Sequence, residues 1–339
     1  MNSLGIWLEG SSDEVPKSEV PKSEVHINIW HNRNSMPYIE FGIFIFDYSK
    51  IDYGKLCISI PYRADKAHFQ DMSSNLKNMD LISALFNERL SLSPENDGEK
   101  FFKVSLASTN RTKMRVVEIN KNSEDVSFED ITDVQGNNYT IYRIQIPEEI
   151  VDKNGKDVYL RFRINKIGNT FLKDIATNEM LLDGYEERKS IFEININMIR
   201  KLPSEIQDAI HKRMNIKLVN IFLMTDYLTD IIFESKDRKS ARVLENHIWD
   251  DYIGYKKDDD IQKVVAYQWK KVSDSGAILD FNLFVKMLAR DNKKIHWLKV
   301  FLFILALGVL GGVFGNLITT KCFNGFSPFK ICDFNNKKE

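Results

Sequence analysis

Val158-Tyr-Leu-Arg-Phe-Arg-Ile164 alternates apolar and polar side chains without a break. Side chains of a strand point to opposite faces with a period of two. Val158, Leu160, Phe162 and Ile164 therefore share one face, and Tyr159, Arg161 and Arg163 share the other. Asn154-Gly155 just before this run is a hairpin turn signal. A segment of this kind is a half-buried strand, and its neighbours repeat the pattern. Val25, Ile27 and Ile29 alternate, as do Ile39, Phe41, Ile43 and Ile45, and then Leu56, Ile58 and Ile60. Further strand-like runs occupy 101–107, 114–120 and 139–146. Between them, Met79, Ile82, Leu85 and Phe86 fall at helical spacing and predict a helix within Ser73–Leu92. Residues 25–171 thus read as a β-rich, sandwich-like domain.

Past this domain, 172–189 is polar and charged and reads as a connection. A second α+β unit is expected over 190–294. Phe192, Ile194 and Ile196 alternate as a strand, and Lys217–Met224 is an apolar strand. Ser204-Glu-Ile-Gln207 has the capping-box pattern that opens a helix. Ser240–Ile253 reads as one helix with Val243, Leu244, His247, Ile248 and Tyr252 on or near a stripe. Val264–Val272 and Ile278–Leu288 read as a hairpin joined by Ser273-Asp-Ser-Gly276. At the other end, residues 1–24 contain the short repeat Glu14-Val-Pro-Lys-Ser18, Glu19-Val-Pro-Lys-Ser23. Proline, serine and charge without apolar periodicity predict a disordered lead.

Val300–Ile318 carries no charge across VFLFILALGVLGGVFGNLI. A run of 18 or more apolar residues at 1.5 Å rise is long enough to cross a hydrocarbon core of roughly 30 Å. The fold class expected is therefore α+β and β-rich, in one or two units, followed by a single transmembrane helix over 295–320 and a short outer tail over 321–339. The N-terminus, MNSLGIWLEGSSDEV, lacks the basic and apolar regions of a secretory signal. Lys286, Arg290, Lys293, Lys294 and Lys299 precede or open the span, against Lys321 and Lys330 just after it. Positive charge marks the cytoplasmic flank, which predicts a single-pass protein of the inner (plasma) membrane with its body in the cytoplasm. Cys322 and Cys332 then lie in the outer tail, where they either close a small disulfide loop or remain two free thiols. Cys57 reads as a small buried hydrophobe in a strand.

Composition narrows the function classes. The chain has 339 residues, 43% apolar and 28% charged, with a net charge of −1. That balance argues against a general nucleic-acid binder. No phosphate loop, dinucleotide fingerprint or nucleophile elbow is present, so an enzyme is the weaker expectation. His26 and His31 are five apart in a strand and face opposite ways. No histidine, cysteine and aspartate cluster has zinc spacing, and neither a metal nor a cofactor is implied. Asp250, Asp251, Asp258, Asp259 and Asp260 are interspersed with Lys256 and Lys257 and read as a solvated surface rather than a magnesium site.

Two candidate sites remain. Arg161 and Arg163 on one sheet face, joined by Lys166 and by Arg143 on a neighbouring strand, would make a basic row for an anionic small molecule or an acidic protein partner. The alternative is an ordinary solvated sheet surface. In the span, Gly308 and Gly312, and Gly311 and Gly315, are each four apart. Small residues at that spacing let membrane helices approach closely and form homo-oligomers, and Asn316 could add a hydrogen bond between helices. The alternative is a plain anchor.

The layout is similar to the general plan of bacterial anti-phage membrane effectors, which join a cytosolic recognition domain to membrane helices. That similarity implies a sensor whose helix association perturbs the membrane. A tail-anchored adaptor is the second reading and a membrane-bound enzyme the third.

Overall fold

Strand alternation is the rule that builds most of this protein, and among the described residues strand far outweighs helix. The computed structural model describes residues 3–10, 20–31, 37–48, 53–93, 99–109, 111–150, 156–179, 186–213, 215–253, 264–291 and 294–323. The strands in chain order are β1 Gly5–Gly10, β2 Lys22–His31, β3 Tyr38–Tyr48, β4 Tyr53–Ile60, β5 Phe69–Asp71, β6 Leu90–Leu92, β7 Phe101–Leu106, β8 Thr112–Val117 and β9 Val126–Thr132. They continue with β10 Asn138–Gln145, β11 Lys156–Ile164, β12 Leu172–Glu179, β13 Glu186–Ile196, β14 Asn215–Asp226, β15 Thr229–Glu234, β16 Ser240–Val243, β17 Val264–Val272 and β18 Phe281–Asp291. The α-helices are α1 Met79–Phe86, α2 Ser204–Arg213, α3 Asn246–Ile253 and α4 Lys294–Phe323.

Two units emerge. The first comprises 1–176 and 189–289, and the second 177–188 and 290–339. The large sheet of the first unit runs β16-β17-β14-β2-β3-β11-β8-β7-β6, with β5 also paired to β11. One small sheet runs β1-β4-β10-β9, and another β12-β13-β18-β15. A single apolar core draws on all three. The large sheet gives Ile27, Phe41, Leu160 and Phe162, the first small sheet gives Ile6, Leu8, Leu56 and Ile58, and the second gives Phe192, Ile194, Leu283 and Val285. This is the sandwich logic of sheets packed face to face over their inward-pointing residues. Phe162 stacks at 5.3 Å on both Phe41 and Phe69.

Helices cover the outward faces. Asn78 caps α1 by accepting from the backbone N–H groups of Asp80 and Leu81 at 3.0 and 3.1 Å. The helix lays Ile82 against Phe44, Val104 and Tyr159. On α3, Trp249 and Tyr252 are buried with Trp30, Tyr38 and Leu244. On α2, Ile206 and Ile210 cover Trp7, Cys57 and Ile141 of the first small sheet. Cys57 is fully buried, and burial pushes its thiol well above the usual range.

Several expectations need correction. Residues 3–10 are not a disordered lead. Ile6 and Leu8 are fully buried, and β1 pairs antiparallel with β4. Of the repeat, residues 14–19 lie outside the described residues, whereas Lys22 and Ser23 already belong to β2. The segment 172–189 does not separate two folding units, because β14 pairs in parallel with β2. β17 and β18 are not a hairpin. β17 pairs with β14 and β16, while β18 lies in the second small sheet. The turn at 273–280 is instead bonded back to β14, through Ser273 N to the Lys217 carbonyl and Ile278 N to the Ile216 carbonyl. Ser240–Ile253 is not one helix. Its first four residues form β16, since the open edge of β17 offers them a ladder, and only Asn246–Ile253 is helical. Within α3 the buried aromatics are Trp249 and Tyr252, while His247 is exposed. Gln207 donates to the Leu202 carbonyl at 2.8 Å rather than closing a capping box. Asn154-Gly155 lies outside the described residues, and β11 pairs with β3, β5 and β8, not with the preceding β10.

The second unit contains α4. Its stretch Val300–Thr319 is long and apolar enough to cross a membrane, with a mean hydropathy of 2.3, and its residues from Phe301 onward are exposed. It is a single-pass membrane anchor by length and composition. Cys322 has no described side chain, and Cys332 and the tail beyond residue 323 lie outside the described residues.

Candidate functional site

The strand with which the sequence reading began carries the most charged interior of the protein. Arg161 and Arg163 do lie on the face of β11 opposite Leu160 and Phe162, as alternation requires. That face is not open to solvent. Arg161 is 1% and Arg163 7% exposed. The expected open basic row is corrected on this point, because alternation assigns a face without saying what covers it. Here α3 covers it.

Glu40 of β3, fully buried, lies between the two guanidiniums. Arg161 Nη2 donates to Glu40 Oε2 at 2.9 Å, and Arg163 Nε to Glu40 Oε1 at 2.8 Å. The Tyr252 hydroxyl donates to Glu40 at 2.8 Å and accepts from Arg161 Nε at 2.6 Å. Arg161 Nη1 reaches the Tyr159 hydroxyl at 3.0 Å, and Arg163 Nη2 the Tyr252 carbonyl at 2.9 Å. The Arg163 guanidinium also lies 3.9 Å from the centre of the Tyr38 ring. Burial opposes the Arg161 charge, yet Tyr252, Tyr159 and Glu40 outweigh it and hold the group protonated. Burial also pushes the Tyr252 hydroxyl far above its usual range, so it remains a donor.

The other two members of the expected row are elsewhere. Arg143 is on β10 in the first small sheet, where it meets Glu9 at 3.2 Å and Glu129 at 2.6 Å. Lys166 is exposed in the turn after β11, at a φ of 57°. The structure brings Arg161 and Arg163 together and places Arg143 and Lys166 apart from them.

Beside this cluster the large sheet is left open. A cleft of about 690 Å³ has a floor of β2, β14 and β17, with His26, Asn220 and Gln268 on it. The end of α1, with Phe86, forms one wall, and Arg242 of β16 stands at the other. Its floor is ordered by a relay of side chains. Ser240 donates to Gln268 Oε1 at 2.9 Å, and Gln268 Nε2 donates to Asn220 Oδ1 at 2.9 Å. Lys113 pairs with Glu88 and sits 5.3 Å over the Phe86 ring, and His26 lies 3.6 Å from Glu24. A smaller inner pocket of about 50 Å³ continues inward, with Arg161, Trp249, Phe222 and Arg242 on its wall. Mixed aromatic and hydrogen-bonding walls of this size suit a small ligand. Among the described residues no three histidine, cysteine or carboxylate side chains could hold a metal together.

Neither Glu40 nor the cleft is legible in the sequence, and Tyr252 shows there only as part of a helical stripe, not as a site residue. Glu40 and Arg163 are 123 residues apart, and α3 brings Tyr252 from 212 residues beyond Glu40. The one available signal was a lone carboxylate at an alternating position of β3, between Ile39 and Phe41.

On α4, a side chain added at Gly308, Gly311, Gly312 or Gly315 would meet nothing within 4 Å. These four positions recur at one helical face.

No family model matches the chain, and no curated protein does. Among solved structures the chain is similar to the crystal structure of baculovirus P35, at 12% identity over 80% of this chain and 97% of that one, with a TM-score of 0.23. A likeness at that level carries no argument about fold or function.

Proposed function

We propose that this is a membrane-anchored sensor and effector of the inner membrane, of the anti-phage kind. Its β-rich cytoplasmic body recognises a signal in the sheet cleft, and its membrane helix associates with copies of itself to perturb the bilayer. One observation carries the reading. A body with an open cleft of about 690 Å³ is joined in the same chain to a bare apolar helix that presents four glycines on one face. The orientation is supported by the five basic residues Lys286, Arg290, Lys293, Lys294 and Lys299 before or at the start of the span. Binding rather than catalysis is supported by the cleft walls, where the carboxylates are already paired, Glu88 with Lys113 and Glu24 with His26, and the floor is made of amides.

The test replaces Val300–Thr319 by an unrelated single-span anchor in the full chain. Membrane potential and crosslinked oligomers are followed in cells that make the protein. Correct membrane insertion with loss of depolarisation and of oligomers supports the effector reading. Undiminished depolarisation with the foreign anchor would leave the helix as a tether. The chain would then be a tail-anchored adaptor.

A further inference from the structure

We propose that the cleft takes a phosphorylated aromatic small molecule, its phosphate at the inner pocket between Arg161 and Arg242 and its ring against Phe86 and Phe222. This rests on the reading of the cleft as the recognition site and adds the chemical class of what it recognises.

Charge makes the first argument. Beneath the inner pocket two guanidiniums, Arg161 and Arg163, share one carboxylate, Glu40. A buried cluster with one positive charge in excess favours an anion beside it. Arg161 is 1% exposed and forms part of the pocket wall. Arg242 lines both the pocket and the cleft, and Lys270 lines the cleft. Neither Arg242 nor Lys270 has an acidic partner among the described residues. The carboxylates that do line the cleft already face cations or histidine, Glu88 with Lys113 and Glu24 with His26. Arg242 and the excess positive charge of the Arg161 cluster meet at one small pocket, with Lys270 in the wider cleft. Together they suit a dianionic phosphate better than a carboxylate, since guanidiniums present paired donors to its oxygens.

Shape makes the second. The inner pocket, at about 50 Å³, has room for one small polar group and not for a ring. The rest of the ligand must lie in the wider cleft. Phe86 and Phe222 line both spaces, so a flat ring attached to a phosphate in the pocket would meet their faces or edges. The floor then offers polar readout. Asn220 Oδ1 already accepts from Gln268, which leaves the Asn220 amide nitrogen as a donor to the ligand.

The experiment uses the full chain in detergent micelles and isothermal titration with four probes: phenyl phosphate, benzoate, phenol and inorganic phosphate. Phenyl phosphate is expected to bind at least about tenfold more tightly than each of the others. Arg242→Gln, at an exposed position of an edge strand, is expected to lose about tenfold for phenyl phosphate while the fold stays intact by circular dichroism. Phe222→Leu should narrow the gap between phenyl phosphate and inorganic phosphate. Phenol equal to phenyl phosphate would remove the anion, benzoate equal to it would remove the phosphate, and an unaffected Arg242→Gln would remove the site. No binding of phenyl phosphate at about 10 mM overturns the proposal outright. Depolarisation that still depends on the native span, in a protein that binds none of these probes, would discard the ligand class alone and keep the sensor reading.

Discussion

Glu40 and Arg163 face each other in register across β3 and β11, and the same carboxylate reaches Arg161 two residues along β11. One acid therefore holds two bases in a space almost without solvent. Removing the acid leaves two unpaired guanidiniums, whereas removing one base leaves a balanced pair. Glu40→Gln is expected to cost about 3–5 kcal/mol, the usual penalty for a buried charge that loses its partner. Arg163→Met should cost clearly less. Thermal unfolding of the full chain in micelles, followed by near-ultraviolet circular dichroism, ranks the two. Equal losses would contradict the charge argument.

Gly42 sits opposite Arg161 on β3 because the Tyr159 hydroxyl occupies the space above it. A Cβ at Gly42 would lie 2.2 Å from that oxygen and 3.0 Å from the ring carbon bearing it. Tyr159 is fully buried and bonded to Arg161, so it cannot swing aside. Gly42→Ala should destabilise by about 1–3 kcal/mol, the range for overpacking a core. Removing the hydroxyl in a Gly42→Ala, Tyr159→Phe double variant should recover part of the loss. A double variant no better than the sum of the two single changes would show that the contact is not the cause.

Leu8 tests the first strand. It is fully buried and belongs to the core shared by the three sheets. Leu8→Ala is expected to cost about 2–5 kcal/mol, as a cavity in a well-packed interior does. A change within about 0.5 kcal/mol, the range for surface sites, would return this segment to the surface. Denaturant unfolding of the full chain measures the difference.

That segment shows where reading from sequence stops. Ile6-Trp7-Leu8 is too short to display a period, and the proline and charge of 14–23 made the whole lead look disordered. The long alternating runs were legible, because β2, β3, β11 and β14 each carry enough turns of the pattern to fix a face. Partner choice was not. Nothing local distinguishes β17 paired with β18 from β17 paired with β14, since the ladder is made by backbone groups that every strand has. The same gap hid the site. Alternation placed Arg161 and Arg163 away from the main core correctly, but the helix that buries them begins at Asn246, far along the chain.

Buried tyrosines give the protein an alkaline limit. Burial pushes the Tyr139 hydroxyl from an ordinary value of 10.0 up to about 12, with the Asp133 charge adding to the effect. Burial holds Tyr48, Tyr62 and Tyr142 above that. The raised value means that the fold favours the neutral phenol. Between pH 10.0 and about 12 the unfolded chain has lost the Tyr139 proton and the folded chain keeps it, so stability present below pH 10.0 falls as pH rises. Phenolate absorbance during a slow alkaline titration should appear in two stages, first the exposed tyrosines and then a cooperative step with unfolding. A single smooth stage with no loss of near-ultraviolet circular dichroism would refute the buried assignment. Tyr139→Phe should delay the loss of stability while giving up the hydroxyl's 3.0 Å bond to the Lys201 carbonyl.

The membrane helix decides between tether and effector. A single apolar helix has no polar side with which to line a pore, and it has no hydrophobic gain from leaving lipid for another helix. Association must come from close backbone packing, and Gly308, Gly311, Gly312 and Gly315 supply a surface without side chains to hold two helices apart. Leucine at Gly308 and Gly312 keeps the span apolar and long enough to insert. It places two branched side chains where a partner backbone would lie. The expected outcome is normal membrane insertion, loss of crosslinked oligomers in intact membranes, and loss of any depolarisation. The paired control puts leucine at Val309 and Val313, which lie off the glycine face and are already bulky, and it should change none of the three. Oligomers that survive Gly308→Leu and Gly312→Leu together would mean that the glycines do not form the contact surface. The association would then have to be sought in the β-rich body.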